Sequence, residues 1–83
     1  SIVIKAIVLV RAHRDLLSEV ADQLIALDEV TEVHFVAGRY DLVATLRAHD
    51  DESFADVVTH GMLTIEGIRS SETLISIRSL PSD

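Results

Sequence analysis

Two short polar segments carry residue types suited to recognising a small molecule: Gly38-Arg39-Tyr40-Asp41 and Ser70-Ser71-Glu72-Thr73. A turn at Gly38-Arg39 offers backbone N–H donors to a carboxylate, and Asp41 offers an acceptor to an ammonium group. With the hydroxyls of Ser71 and Thr73 facing that turn, both halves of a zwitterion are matched without any catalytic group. Other chemistries find less support. His13, His34, His49 and His60 show no i,i+4 pair and no compact ligand spacing, so no metal centre is expected. Asp50-Asp51-Glu52 reads as the start of a helix, whose positive end favours carboxylates, rather than as a cation site. Gly38, Gly61 and Gly67 are isolated and form no phosphate loop. A Ser–His–Asp set can be picked from any chain with this composition and carries no information. The absence of cysteine removes disulfides, thiolate ligands and cysteine nucleophiles. No catalytic residue and no cofactor is expected.

Composition narrows the partners. Seven basic residues against fourteen acidic give a net charge of -7, which disfavours direct contact with nucleic acid or an anionic membrane. With no Trp, one Tyr and two Phe, the chain also lacks aromatic platforms for stacking single-stranded bases. The longest apolar run, Ile2 to Val10, is interrupted by Lys5 and is far shorter than the roughly 20 residues that span a bilayer. No signal-peptide cleavage pattern follows it, so a soluble cytoplasmic protein is expected. The 83 residues make one domain, residues 1–80, with a short tail at 81–83. Such a small domain buries only about 60% of the surface its unfolded chain exposes, so self-association is the natural support for its fold.

The elements that position the polar segments follow from periodicity. Ile2 to Val10 is β-branched and apolar at both parities, the pattern of a central strand. Residues 14–27 read as an amphipathic helix through Leu17, Val20, Ala21, Leu24 and Ile25. Thr31–Ala37 and Tyr40–Ala48 form a hairpin, with Gly38 at the turn position that needs φ > 0. That turn pairs Phe35 with Leu42, His34 with Val43 and Val33 with Ala44. It places Val33, Phe35, Ala37, Tyr40, Leu42, Ala44 and Leu46 on the core face. Asp50 caps a second helix whose buried stripe is Phe54, Val57, Val58, Met62 and Ile65. Gly61 sits in that stripe, where a close approach to the sheet would explain it. Ile68–Leu80 reads as the last strand. Right-handed crossovers around a central hairpin give an antiparallel sheet of order 4-1-3-2 with both helices on one face. This is the ferredoxin-like α+β (βαββαβ) sandwich.

The uncovered side of that sheet should be polar. Instead it carries Ile7, Leu9, Val36, Val43 and Leu74, with Lys5, Arg11, Arg47, Glu72 and Arg78 further out. An apolar centre with a charged rim is interface anatomy, and the expectation is a sheet packed against a second copy.

The segments "DEVTEVHFVAGRYDLVATLRA" and "IEGIRSSETLISIR" carry a further signal. The Gly-x-Tyr-Asp at Gly38, Tyr40 and Asp41, followed by Gly-hydrophobic-x-x-x-x-Thr at Gly67, Ile68 and Thr73, resembles the ligand-sensing (RAM) domain of the Lrp/AsnC family of amino-acid-responsive transcription regulators. The resemblance runs from about Ile4 to Arg78. It implies the ferredoxin-like fold, dimers formed through the sheets, further assembly into octamers or similar rings, and an amino-acid effector bound between subunits. It places Gly38, Tyr40 and Asp41 on the effector-binding turn, beside Arg39, with Ser71 and Thr73 on the facing strand. Typical members carry an N-terminal helix-turn-helix, which this sequence lacks. The expectation is therefore a stand-alone sensing module that does not bind DNA directly and either senses an amino acid by itself or joins full-length relatives through the shared interface and alters their assembly. Two competing readings share the topology. An ACT-like regulatory domain would use a glycine-rich first loop, where this chain has Arg11-Ala12-His13-Arg14. A small dimeric α+β barrel enzyme would need a polar-lined pocket between sheet and helices, which Phe35, Leu42 and Leu46 are expected to fill.

Overall fold

The computed structural model describes residues 3–81; the first residue of the expected opening strand, Ile2, and the last two of the tail lie outside them. The chain runs through β1 (Ile4–Ala12), a 3₁₀ turn (Arg14–Leu16), α1 (Leu17–Ile25), β2 (Val30–Phe35), β3 (Leu42–Ala48), α2 (Asp51–Asp56) and β4 (Ile68–Ile75). α2 continues through a π-helical turn (Val57–Gly61) and a 3₁₀ turn (Met62–Thr64). The strands form one antiparallel sheet of order β2-β3-β1-β4, the expected 4-1-3-2 read from the other edge. The architecture is the ferredoxin-like sandwich.

β1 lies between β3 and β4, and its alternate residues Ala6, Val8, Val10 and Ala12 are buried beside Leu42, Ala44 and Leu46 of β3. Val20, Ala21 and Leu24 of α1 cover them, with Val57, Met62 and Ile65 from the second helical segment. Val8, Val10, Val20, Leu24 and Leu42 are wholly shielded from water. Among the described residues no polar or charged side chain is buried, so the layer between sheet and helices is held by apolar burial alone.

The hairpin register is the expected one: Val33 opposite Ala44, His34 opposite Val43, Phe35 opposite Leu42. Three local features depart from expectation. The connection is wider than a two-residue turn: pairing continues past Phe35 only as a Val36 N–H to Asp41 carbonyl bond of 3.0 Å, with Gly38 at φ +138°. A bulge at Thr31 shifts the register between Val30 and Glu32. It turns Val30 into the core (7% exposed) and sends the Thr31 hydroxyl to Thr45, reversing what simple alternation gives. Phe35, expected in the core, is 60% exposed, because it ends an edge strand with β3 on one side only.

β4 stops at Ile75 rather than reaching Leu80. Ala6 pairs with Ile75 and the Ser76 N–H still reaches the Lys5 carbonyl at 2.8 Å, while Lys5 and Ile4 go on pairing with Arg47 and Ala48 of β3. Gly61 does make a close approach, but to Leu27 rather than to the sheet: a Cβ there would lie 3.2 Å from both Leu27 methyls. Gly67 is more constrained. Its φ is +101°, a Cβ would come within 2.9 Å of Val20 Cγ2, and its carbonyl accepts the His13 N–H at 2.8 Å.

Asp50 caps α2 as expected, its Oδ1 accepting the Ser53 N–H at 2.7 Å. That bond holds the Asp50 carboxyl below its ordinary pKa. A depressed carboxyl contributes stability above its unfolded pKa of about 3.9, and the contribution is lost as pH falls through the lower folded value. Asp50→Asn keeps a capping oxygen without the titration, so its acid unfolding curve is expected to lose this component; superimposable curves contradict it. Gly67→Ala is expected to cost about 2–4 kcal/mol in urea unfolding, combining a strained φ with overpacking. Gly38→Ala, with nothing within 4 Å of the new Cβ, should cost about 1–2 kcal/mol from backbone strain alone.

Candidate functional site

The hairpin tip lies at the end of the sheet where β1 finishes and β4 begins. Pairing of β1 with β3 ends at Val10–Leu42. Immediately beyond, the Asp41 N–H donates to the Val10 carbonyl at 2.9 Å and Asp41 Oδ2 accepts the Ala12 N–H at 2.9 Å. Asp41 thus takes over the role of a strand partner for a backbone group that the ladder no longer serves. One of its oxygens, Oδ2, is committed to the fold.

Tyr40 does not follow the side of the sheet that alternation assigned to it. Its hydroxyl donates to Glu72 Oε1 at 2.8 Å, and the Arg11 guanidinium lies 5.8 Å from its ring centroid, within cation–π range. Glu72 sits opposite Leu9 on β4, and both Leu9 and Arg11 alternate with the buried β1 residues, so all belong to the uncovered face. The wide tip has carried Tyr40 over the end of β1 onto that face. Ser71 and Thr73 sit opposite Val10 and Val8 and therefore on the helix side. The structure brings together Tyr40, Glu72 and Arg11, with Asp41 adjacent; it leaves Gly38 and Arg39 exposed at the tip; and it places Ser71 and Thr73 across the sheet from Tyr40. Sequence reasoning had Arg11 only as a rim residue; the strand alternation from Val10 was the signal that could have linked it to Glu72.

The uncovered face has the expected composition. Ile7 is 42% exposed, Val36 38% and Leu74 44%, with Leu9 and Val43 half-buried between them. Tyr40, Glu72 and Arg11 flank this apolar centre at one end, and Lys5 and Arg47 at the other. His34 and His60 pair with Glu32 and Asp56 at 3.1 and 2.8 Å on exposed surface. Among the described residues, no group of three or more His, Asp or Glu is placed to hold a metal ion. No helix among them is long and apolar enough to cross a membrane.

This is a sheet-faced domain with a polar hairpin tip and an apolar interior, the build of a regulatory binding domain. Comparison with known proteins defines it further. The family model of the Lrp/AsnC ligand binding domain matches residues 5–83. The HTH-type transcriptional regulator FL11 of Pyrococcus furiosus is 32% identical over 78 residues, covering 90% of this chain and 49% of that protein. The chain spans less than half the length of such curated relatives. The crystal structure of TTHA0845 from Thermus thermophilus matches with a TM-score of 0.88 at 40% identity, over 95% of this chain and 99% of that one. A transcriptional regulator from Neisseria meningitidis, solved as an L-Met complex, shares the fold at a TM-score of 0.84 and 16% identity, over 95% of this chain and 53% of that one. The chain belongs to the Lrp/AsnC family as its ligand-binding domain, a regulatory class rather than an enzymatic one. That assignment sets aside the ACT-like and barrel-enzyme readings.

The Glu72 hydrogen bond, which favours the protonated phenol, raises the Tyr40 pKa above 10, with burial and the Glu72 charge adding to it. Tyr40 is the single tyrosine in a chain without tryptophan, so phenolate absorbance reports it alone. An alkaline titration is expected to give a midpoint above about 10, and Glu72→Ala to lower it toward the ordinary value. Coincident titrations would separate Tyr40 from Glu72 in solution. The stability this bond contributes is present below the unfolded phenol pKa and lost as pH rises through the folded one.

Proposed function

We propose that this domain is a non-enzymatic sensing module that pairs with a second copy through its uncovered sheet face and binds an amino acid or related small molecule where the hairpin tip meets a neighbouring subunit. The observation that carries the reading is the apolar centre of that face: Ile7, Val36 and Leu74 are each about two-fifths exposed in a domain too small to leave such area uncovered cheaply. The pairing buries these residues with Leu9 and Val43 and leaves the charged ends as a rim. Asp41 Oδ1 accepts the effector's ammonium group, and the amides around Gly38 and Arg39 receive its carboxylate. Ser71 and Thr73, on the other side of the sheet from Tyr40, serve an effector held by a neighbour's hairpin, so the complete site needs two subunits.

The L-Met complex of a regulator with the same fold supports an amino-acid effector. Dimers assemble further into an octamer or similar ring, and the same surface lets the domain join full-length Lrp/AsnC regulators in the cytoplasm. DNA contact falls to those relatives, since this domain carries a net charge of -7. An effector at a subunit contact shifts assembly by its differential affinity for the assembled and separated states.

The test is calorimetric titration with the twenty common amino acids, with scattering mass measured alongside. At least one should bind, and Asp41→Asn, which keeps an oxygen for the Ala12 N–H, should weaken it at least tenfold with the fold intact. No binding by any of them, at unchanged mass, contradicts the sensor reading. Asp41→Ala is expected to cost about 1–3 kcal/mol of stability besides, because it strands the Ala12 N–H; measurement of the Asn variant keeps the two effects apart.

A further inference from the structure

At the end of the uncovered face opposite the hairpin tip lies a cleft of about 370 Å³, lined by Lys5, Ile7, Thr31, Thr45, Arg47 and Ser76 among others. This lies within the range of small-molecule sites, roughly 300–1,000 Å³. The geometry points to a second binding site here, distinct in chemistry from the hairpin tip, that takes a small organic carboxylate bearing a short apolar body and no amino group.

The argument begins with charge. Lys5 and Arg47 are directly opposed cross-strand partners on β1 and β3, an arrangement of like charges that destabilises a sheet. The chain has fourteen acidic residues against seven basic, so carboxylates to neutralise such a pair are plentiful. Yet among the described residues the ion pairs all join a histidine to a carboxylate, and neither Lys5 nor Arg47 is in one. At the other end of the same face the cation is accommodated, Arg11 lying over Tyr40. The Lys5–Arg47 pair is thus a concentration of positive charge that no ion pair among the described residues balances.

The groups around it suit a carboxylate. A guanidinium fork takes two carboxylate oxygens side by side, and the ammonium acts as a point charge beside it. The Thr31 hydroxyl donates to the Thr45 carbonyl at 3.2 Å and lies 2.6 Å from the Thr45 hydroxyl, so the two hydroxyls form a polar wall bonded within itself, and the charge of a carboxylate is met by Arg47 and Lys5. The bulge at Thr31 is what places this hydroxyl on the uncovered face. The Ser76 N–H bond to the Lys5 carbonyl, 2.8 Å, fixes the segment after β4 along the cleft. Ile7, 42% exposed, gives an apolar surface for a hydrocarbon body.

The same lining excludes an amino acid. Among the described residues no Asp or Glu lines the cleft, so an α-ammonium group would be placed beside Lys5 and Arg47 with no acceptor of opposite charge among them. At the hairpin tip, Asp41 and Glu72 supply such acceptors. The two ends of the face therefore sort ligands by the presence of an amino group. The cleft is lined by residues of one protomer, and it shares Ile7 with the apolar centre and Lys5 and Arg47 with the charged rim of the proposed contact.

The test is an amide-resolved NMR titration of the isotopically labelled protein with 4-methylpentanoate, with L-leucine (its 2-amino derivative) and with inorganic phosphate. The expected result is saturable shifts at Lys5, Thr31, Thr45, Arg47 and Ser76 with 4-methylpentanoate, and at least tenfold weaker effects at these positions with either other probe. Arg47→Gln should weaken 4-methylpentanoate at least tenfold while the remaining amide spectrum stays native. Should Arg47→Gln disturb the fold, Lys5→Gln provides the equivalent measurement. Absence of saturable shifts, equal binding of L-leucine, equal binding of phosphate, or unchanged affinity in the folded variants overturns the proposal. Scattering mass on the same samples separates it from the assembly reading: a dimer with a silent cleft refutes this site alone, and a lone protomer with a responsive cleft refutes assembly alone.

Discussion

Two helical segments can cover only one face of a four-stranded sheet, and the other structural features of this domain follow from that imbalance. α1 and the α2 segment seal Val8, Val10, Leu42 and Ala44 completely, while the side chains alternating with them, Ile7, Leu9 and Val43, point to the face left over. That leftover face would be harmless if it were polar. Being apolar at its centre, it is the surface on which the proposed pairing with a second copy rests.

Charge is arranged around this face unevenly. At the hairpin end acidic and basic groups are interleaved: Asp41 against the Ala12 N–H, Glu72 against the Tyr40 hydroxyl, Arg11 against the Tyr40 ring. At the far end Lys5 and Arg47 face one another beside the hydroxyls of Thr31 and Thr45 and the apolar side chain of Ile7. One sheet thus presents a zwitterion-compatible end and an anion-compatible end, separated by the apolar strip. Asp41 also ties the proposed site to the fold, since the carboxylate proposed to meet an effector is the one that closes the β1 backbone. On that proposal, occupancy of Oδ1 would be felt at Ala12 and, through the adjoining His13–Gly67 hydrogen bond, at the start of β4.

Much of this was legible in the residues. Alternation in Val33–Phe35 and Leu42–Leu46 fixed the hairpin register because one parity is apolar and the other is not. Asp50 announced its helix by residue type alone. The errors share a cause, namely backbone irregularity that residue patterns do not encode. The bulge at Thr31 inverted the faces of Val30 and Thr31, and the wide tip moved Tyr40 to the other side of the sheet from its expected place. The end of β4 at Ile75 falls inside an apolar pattern that continues to Leu80, so residue type alone did not mark it. The juxtaposition of Lys5 with Arg47 was hidden for a related reason: it depends on the β1–β3 register, which no local turn specifies.

The most direct test of the central claim is sedimentation equilibrium of the wild-type domain beside Val43→Glu, which places a charge at the middle of the uncovered face without touching the helix layer. The account predicts a wild type at twice the protomer mass or a higher multiple, and a variant that sediments as a folded single protomer. A wild type that remains one protomer at micromolar concentration, indistinguishable from the variant, would contradict it.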